Sequence, residues 1–249
     1  MSNPLSKIKK HLIRLLWKPI PVLCFHEIGN FCEGSPDWVP TSFLKKKIEE
    51  MLNEGYTFVT LSEVHRHLCK DKFRIKKIAA LTADDGLKCQ QEIFPWLKER
   101  NIPITLFCNV TSVKQEKCGL PYEKWFKFEA KEQELKMAAE MYMSKNELEV
   151  ALPDNVSIGS HGYAHDEAVT SMSLAEFEKD VDGCVEMFSQ HKCYTAFYAY
   201  PYGRHNEDTD KMLRDKNIVP VYMDDRENYN DESAIHRVSI ERMYKDERN

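Results

Sequence analysis

Hydrophobic and polar positions along this chain fall into two alternating rhythms. Short apolar runs read as strands: Pro21 to Phe25, Tyr56 to Thr60, Lys77 to Thr82, Ile104 to Cys108, Val156 to Gly159, Thr195 to Tyr200, Ile218 to Met223, and a last one near Val238. Helical stretches fill the gaps. Thr41-Ser42 is expected to cap a helix that runs through Asn53 and ends at Gly55. Ser62 starts another. Leu87 to Arg100 is helical, with Pro95 opening its second part. Ser173-x-x-Glu176 is a capping box, and a further helix lies near Thr209 to Lys216. Residues 112–153 break the rhythm with a Lys-, Glu- and Met-rich stretch of helical propensity, read as an insertion over one face. Strand–helix alternation of this kind predicts an α/β fold with a parallel sheet, open or closed into a barrel.

The amino terminus follows a different pattern. Ile8, Leu12, Leu15 and Leu16 share one helical face and are preceded by Lys7, Lys9 and Lys10. The apolar stretch is too short to span a bilayer and lacks a cleavage site for export. An amphipathic helix over residues 1–19 is expected, which either packs on the remaining domain, 20–249, or touches a membrane surface.

Composition narrows the picture. At 249 residues there is room for one domain with a sizeable core, and a net charge of -5 argues against a nucleic-acid partner. Eight cysteines are scattered with no C-x-x-C pair, which excludes a zinc knuckle and points to free thiols in a reducing cytoplasm. Nothing in the chain reports its oligomeric state.

Polar signatures follow directly on the expected strands: His26, then Asp84 and Asp85, then His161 and His165, then Tyr202. In a parallel barrel all strand carboxyl ends meet at one mouth, so residues distant in sequence converge there. Asp84-Asp85-Gly86 alone reads as an acidic turn or helix cap, or as two carboxylates with divergent directions. The pair His161 and His165, four apart, with one carboxylate from another strand, would leave a tetrahedral metal one open position, as in catalytic zinc sites.

Thr82-Ala83-Asp84-Asp85-Gly86, Ser160-His161-Gly162-Tyr163-Ala164-His165 and Ala199-Tyr200-Pro201-Tyr202-Gly203 together resemble the three motifs of the polysaccharide deacetylase family. This is the group with the NodB homology domain, carbohydrate esterase family four. Val22 to Ile28 is similar to the opening strand of many members, and the likeness runs from about residue 20 to 240. The resemblance implies a distorted (β/α) barrel of about seven units. It implies Asp84 as general base, and Asp85, His161 and His165 as ligands of a divalent metal, zinc being expected. It further implies the Tyr202 backbone N–H at the oxyanion.

This sequence departs from the family pattern at several points. Ala83 replaces an aromatic residue, Gly162 replaces Ser or Thr, and Ala199 stands where many members carry an arginine that orients the base. The late leucine-x-histidine motif that supplies a general acid elsewhere is not matched; a branch with Y-P-Y-G in the third motif shows the same losses. The acid is expected to be His26, which follows the first strand, with His236 as the rival.

The implied activity is removal of acetyl from an N-acetylated sugar by a metal-bound water. The alternatives are an O-acetyl carbohydrate esterase and a catalytically silent carbohydrate-binding protein. The expected location is cytoplasmic, with peripheral contact at the inner membrane face open through the amino-terminal helix.

Overall fold

Parallel strands close on one another in the computed structural model, which describes residues 19–29, 35, 37–70, 77–117, 130–165, 168–229 and 234–248. The amphipathic helix expected over 1–19 lies, but for residue 19, outside them. In chain order the strands are β1 (Val22–Phe25), β2 (Glu27–Ile28), β3 (Trp38–Val39), β4 (Thr57–Phe58), β5 (Ile78–Asp85), β6 (Ile104–Cys108), β7 (Val156–Ser160), β8 (Tyr194–Ala199), β9 (Val219–Met223) and β10 (Ile235–Ser239). The helices are α1 (Thr41–Asn53), α2 (Leu61–Lys70), α3 (Phe94–Glu99), α4 (Val110–Val113), α5 (Lys131–Met141), α6 (Leu174–Phe188), α7 (Glu207–Asp215) and α8 (Ile240–Asp246). Among the described residues no helix is long and apolar enough to cross a membrane.

Seven strands, β1 and β5 to β10, form the barrel, all parallel. β10 closes it onto β1 through Leu23↔Val238, and β1 pairs on its other side with β5 through Val22↔Ala80 to Phe25↔Ala83. The short β4 takes the lower end of that same β5 edge, at Ile78 and Ala79. The barrel is thus the distorted (β/α) type that the alternation and the resemblance implied.

Side chains on a strand alternate between faces. Val22, Ile78, Ala80, Phe107, Phe197, Ala199, Val221 and Ile235 form one buried cluster with Leu61, Val64 and Leu68 of α2, which plugs the amino-terminal end. Leu23, Phe25, Leu81, Ala83, Leu106 and Ile158 belong to a second cluster, with Phe177 and Val181 of α6. Following the first set upward by twos leads to His26 just past the end of β1, Asp84 on β5, and Arg237 on β10. The apolar floor and the polar mouth are therefore two ends of the same inward rows.

Two sequence expectations need correction here. β5 extends to Asp85, because β6 is long enough to pair with it as far as Asp85↔Cys108, so both aspartates end the strand rather than follow it. Thr41 and Ser42 do not cap α1: Pro40 is its N-cap, its carbonyl accepting from the Phe43 and Leu44 amides at 2.9 and 3.2 Å. The capping box at Ser173 and Glu176 is present, and Pro95 opens α3 after a 3₁₀ turn over Lys88–Ile93. The described cysteines are free thiols.

Within the 112–153 stretch, α5 is pinned to the chain just beyond the two aspartates. The Met143 amide donates to the Gly86 carbonyl at 2.9 Å, Lys88 Nζ to the Ala139 carbonyl at 2.7 Å, and Tyr142 pairs with Leu87. Leu87, Ala138, Met141 and Tyr142 bury one another beneath it.

Candidate active site

At the carboxyl end of the barrel a cavity of about 340 Å³ is lined by His26, Asp84, Asp85, His161, His165 and Tyr202, with Asp37, Tyr200, Gly203 and Met223. That volume suits a small-molecule site. Every site residue expected from sequence except His236 reaches it. His236 sits on the opposite face of β10 from Arg237, its Nδ1 2.7 Å from Asp224 and its ring edge-on to Tyr222.

Three of these side chains hang from left-handed backbone: Asp85 (φ 74°), His165 (φ 57°) and Tyr202 (φ 59°). Each such residue costs about 1–3 kcal/mol and persists where the surroundings enforce it, a pattern typical of functional sites. Two glycines make the bends feasible. A Cβ on Gly86 (φ 69°) would lie 2.7 Å from Cys108 Sγ, and one on Gly162 (φ 80°) would lie 3.0 Å from Pro201 Cγ. The latter explains why no Ser or Thr follows His161. Asp180 of α6 holds that loop instead, accepting the Tyr163 amide at 2.8 Å and the Tyr198 hydroxyl at 2.9 Å.

The two neighbouring aspartates have separate surroundings. Asp84 is bound end-on by the two terminal nitrogens of Arg237, which is wholly buried: Nη1 donates to Oδ1 at 2.5 Å and Nη2 to Oδ2 at 2.8 Å. Arg237 also donates through Nε to the Tyr222 carbonyl and lies over the Phe107 ring. Burial alone would raise the Asp84 pKa, but Arg237, helped by His161, holds the carboxyl far below its usual range. Asp85 has no such partner, and burial pushes its pKa up despite His161 and His26. Gln90, a residue the sequence reading missed, ties the two strand ends together by donating to the carbonyls of His26 (2.9 Å) and Asp84 (2.6 Å).

Asp85 faces two imidazoles. His161 Nε2 and His165 Nε2 are 3.1 Å apart, and Asp85 Oδ1 lies 3.6 and 3.7 Å from them. His161 Nδ1 is 2.8 Å from the Ala199 carbonyl, which can only accept, so that nitrogen carries the proton and Nε2 presents a lone pair. Burial keeps this ring neutral, with its pKa lowered to about 4. Ligand atoms about 2.0 Å from a tetrahedral ion lie about 3.3 Å from one another, so this triangle matches a divalent cation. Cys24, His26 and Asp84 also cluster, but the Arg237 guanidinium is already there, 3.2 Å from Cys24 Sγ.

Opposite stands His26. Its Nδ1 is 3.1 Å from Glu241 Oε1, and its Nε2 is 3.8 Å from Asp84 Oδ2. Burial would lower its pKa, but Glu241, with Asp84 and Asp85, outweighs burial and raises it to about 10.

The sequence profile of polysaccharide deacetylases matches residues 71–221. The chain belongs to the polysaccharide deacetylase family. YxkH of Bacillus subtilis (strain 168), whose name places it among polysaccharide deacetylases, is 26% identical over 197 residues, 76% of this chain. The chain spans 59% of that relative's length. Among solved structures, IcaB from Ammonifex degensii superposes with a TM-score of 0.69 at 21% identity, covering 89% of this chain and 91% of its own. A de-N-acetylase from Aggregatibacter actinomycetemcomitans gives 0.64 at 14% identity, over 89% and 94%. For a member of the polysaccharide deacetylase family, the matched stretch is instructive. It holds both aspartates, the two imidazoles that Asp85 faces and Tyr202, but it excludes His26, Arg237 and Glu241.

Arg237 supplies, from β10, the guanidinium missing at Ala199 on β8. Removing one member of a buried ion pair strands the other charge and costs about 3–5 kcal/mol. Arg237→Ala is therefore expected to lower the unfolding free energy in urea at pH 7 by that amount. A change below about 1 kcal/mol would show that Asp84 does not depend on this pair.

Proposed function

We propose that the protein is a metal-dependent hydrolase that removes acetyl from an N-acetylated sugar, with a hexosamine unit as substrate. The observation that carries this reading is the division of labour between the neighbouring aspartates, one taken by Arg237 and the other facing two imidazole nitrogens. Asp85, His161 and His165 would hold the cation, zinc by their nitrogen-rich donor set. A divalent cation there supplies a Lewis acid that activates water and polarises the acetyl carbonyl.

The chain's own residues do the rest. Asp84, kept ionised by Arg237, accepts a proton from the attacking water through Oδ2, the oxygen that lies 3.8 Å from both His161 Nε2 and His26 Nε2. Tyr202, bent into left-handed backbone at the rim, presents its amide to the developing oxyanion. Its hydroxyl donates to the His165 carbonyl at 3.1 Å, which fixes the turn. His26 donates from Nε2 to the departing nitrogen, and Asp84, much the weaker proton holder, returns a proton to it.

The competing reading as an O-acetyl esterase uses the same site. His26 favours the amide, because an amine leaves poorly unless protonated whereas an alkoxide needs less help. A silent carbohydrate-binding protein would have no use for a complete acid, base and ligand set.

The test is acetate release from paired N-acetyl and O-acetyl sugars, before and after a chelator. Release from the N-acetyl sugars that stops with chelator and returns with zinc is expected. Release from the O-acetyl set alone, or release indifferent to chelator, would overturn the reading.

A further inference from the structure

Asp37 lines the same cavity, yet neither the cation-facing triangle nor the proton transfers above use it. It lies outside the stretch that matches the family profile, and no motif marks it. The backbone sets its place. β2 begins one residue after His26 and pairs in parallel with β3, Glu27 against Trp38 and Ile28 against Val39. The Asp37 carbonyl accepts from the Glu27 amide at 3.3 Å, and the Asp37 amide donates to Ser35 Oγ at 3.3 Å. The Trp38 indole N–H donates to the Gly29 carbonyl, which locks the next residue down. Asp37 is thereby held beside His26 at the mouth of the barrel.

Its carboxylate is not engaged in the same way. Among the described residues it has no hydrogen-bond or ion-pair partner. Its charge is still felt across the cavity: Asp85, raised chiefly by burial, is raised further by Asp84 and Asp37. The other charges there are matched. Arg237 answers Asp84, and Glu241 answers His26. A divalent cation facing Asp85 leaves one positive charge over, and Asp37 offsets it. No Lys or Arg stands among the described residues that line the cavity, so an anionic group brought in by a substrate would find no partner there.

We propose that Asp37 is a specificity-determining residue: its carboxylate accepts a sugar hydroxyl beside the acetamide and turns away sugars that carry phosphate or carboxylate there. The inference rests on the hydrolase reading above and deepens it, by naming an uncharged, hydroxyl-bearing N-acetylhexosamine as the unit that enters. The carbon that bears the acetamide has two ring neighbours, whose substituents travel with it into the cavity. A sugar 1-phosphate or a nucleotide-linked sugar carries its negative charge on the first of these, where a glycoside carries a neutral oxygen. Like charges about 6 Å apart, at an effective dielectric constant of about 20, disfavour one another by roughly a hundredfold. Discrimination of this kind comes as much from repelling the wrong sugar as from holding the right one.

The experiment compares the methyl glycoside and the 1-phosphate of N-acetylglucosamine, in the same anomeric form, on the zinc-loaded protein. Acetate release and dissociation constants by titration calorimetry are measured for the unaltered protein, Asp37→Asn and Asp37→Ala. The unaltered protein should bind and hydrolyse the methyl glycoside at least tenfold better than the 1-phosphate. Asn keeps an oxygen acceptor but removes the charge, so in Asp37→Asn that ratio should fall at least tenfold, through KM and Kd of the 1-phosphate. Asp37→Ala should lose the discrimination too, and should also bind the methyl glycoside roughly tenfold more weakly, having no acceptor left. Zinc content should stay at one equivalent in both variants. A merely structural role would lower both sugars alike and leave their ratio where it was. A 1-phosphate bound by the unaltered protein as tightly as the glycoside, or a ratio unmoved by Asp37→Asn, would overturn the proposal. If neither sugar nor an N-acetylglucosamine oligomer loses acetate, the hydrolase reading fails instead, and the dissociation constants still decide the role of Asp37.

Discussion

His161→Ala protein is expected to lose its bound metal and its acetate-releasing activity together. The ring nitrogen that faces the cation position is a bare lone pair because the other nitrogen is committed to the Ala199 carbonyl. Truncation leaves Asp85 and His165, two donors of which one is a carboxylate under strain from burial, too few for a tetrahedral ion at micromolar concentration. Metal content measured after dialysis should fall from one equivalent to a small fraction, with activity at background. Asp85→Ala and His165→Ala should behave alike. Stoichiometric metal retained by the His161→Ala protein would place the cation elsewhere.

Asp84→Asn tests the other half of the site and should separate metal from turnover. None of the three cation-facing groups is touched, so the metal should remain at one equivalent. The amide cannot accept the proton of water, and turnover should drop by about a hundred- to ten-thousand-fold. Its NH₂ group also faces one Arg237 nitrogen, donor against donor, so the variant should unfold at lower urea than the unaltered protein. Rates near those of the unaltered protein would show that the base is some other group.

Much of this site was readable from the chain because its chemistry sits at strand ends. Asp84 and Asp85, His161 and His165, and Tyr202 each follow or finish an apolar run, and topology alone brings those ends together. His26 was readable for the same reason. Arg237 and Glu241 were not, since what marks them is a relation across the barrel rather than a motif. A signal for Arg237 did exist: it shares strand parity with Ile235, so a charge at that position points inward and needs a buried partner, and Ala199 had left Asp84 without one. The same parity turns His236 away from the cavity. Glu241 gave no such hint, because an acidic residue in the first turn of a helix is ordinary. Gln90 was equally silent, its two carbonyl partners being separated from it by 64 and 6 residues. The early helix start at Thr41 was missed because hydroxyl residues suggested a cap where Pro40 already sufficed.

The acceptor that orients His161 belongs to the main chain of residue 199. No side-chain exchange at that position can delete it while β8 keeps its register with β9 at Ala199↔Val221. The partners of Asp84 and His26, by contrast, are the side chains of Arg237 and Glu241, and a single codon change removes either. The two halves of the cavity therefore differ in how they tolerate drift. Under random mutagenesis, inactive proteins that still carry metal should outnumber inactive proteins that have lost it through changes outside the three cation-facing residues. Descent can recruit new holders for an acid or a base from whichever strand lies near, while the hold on His161 survives as long as the barrel does.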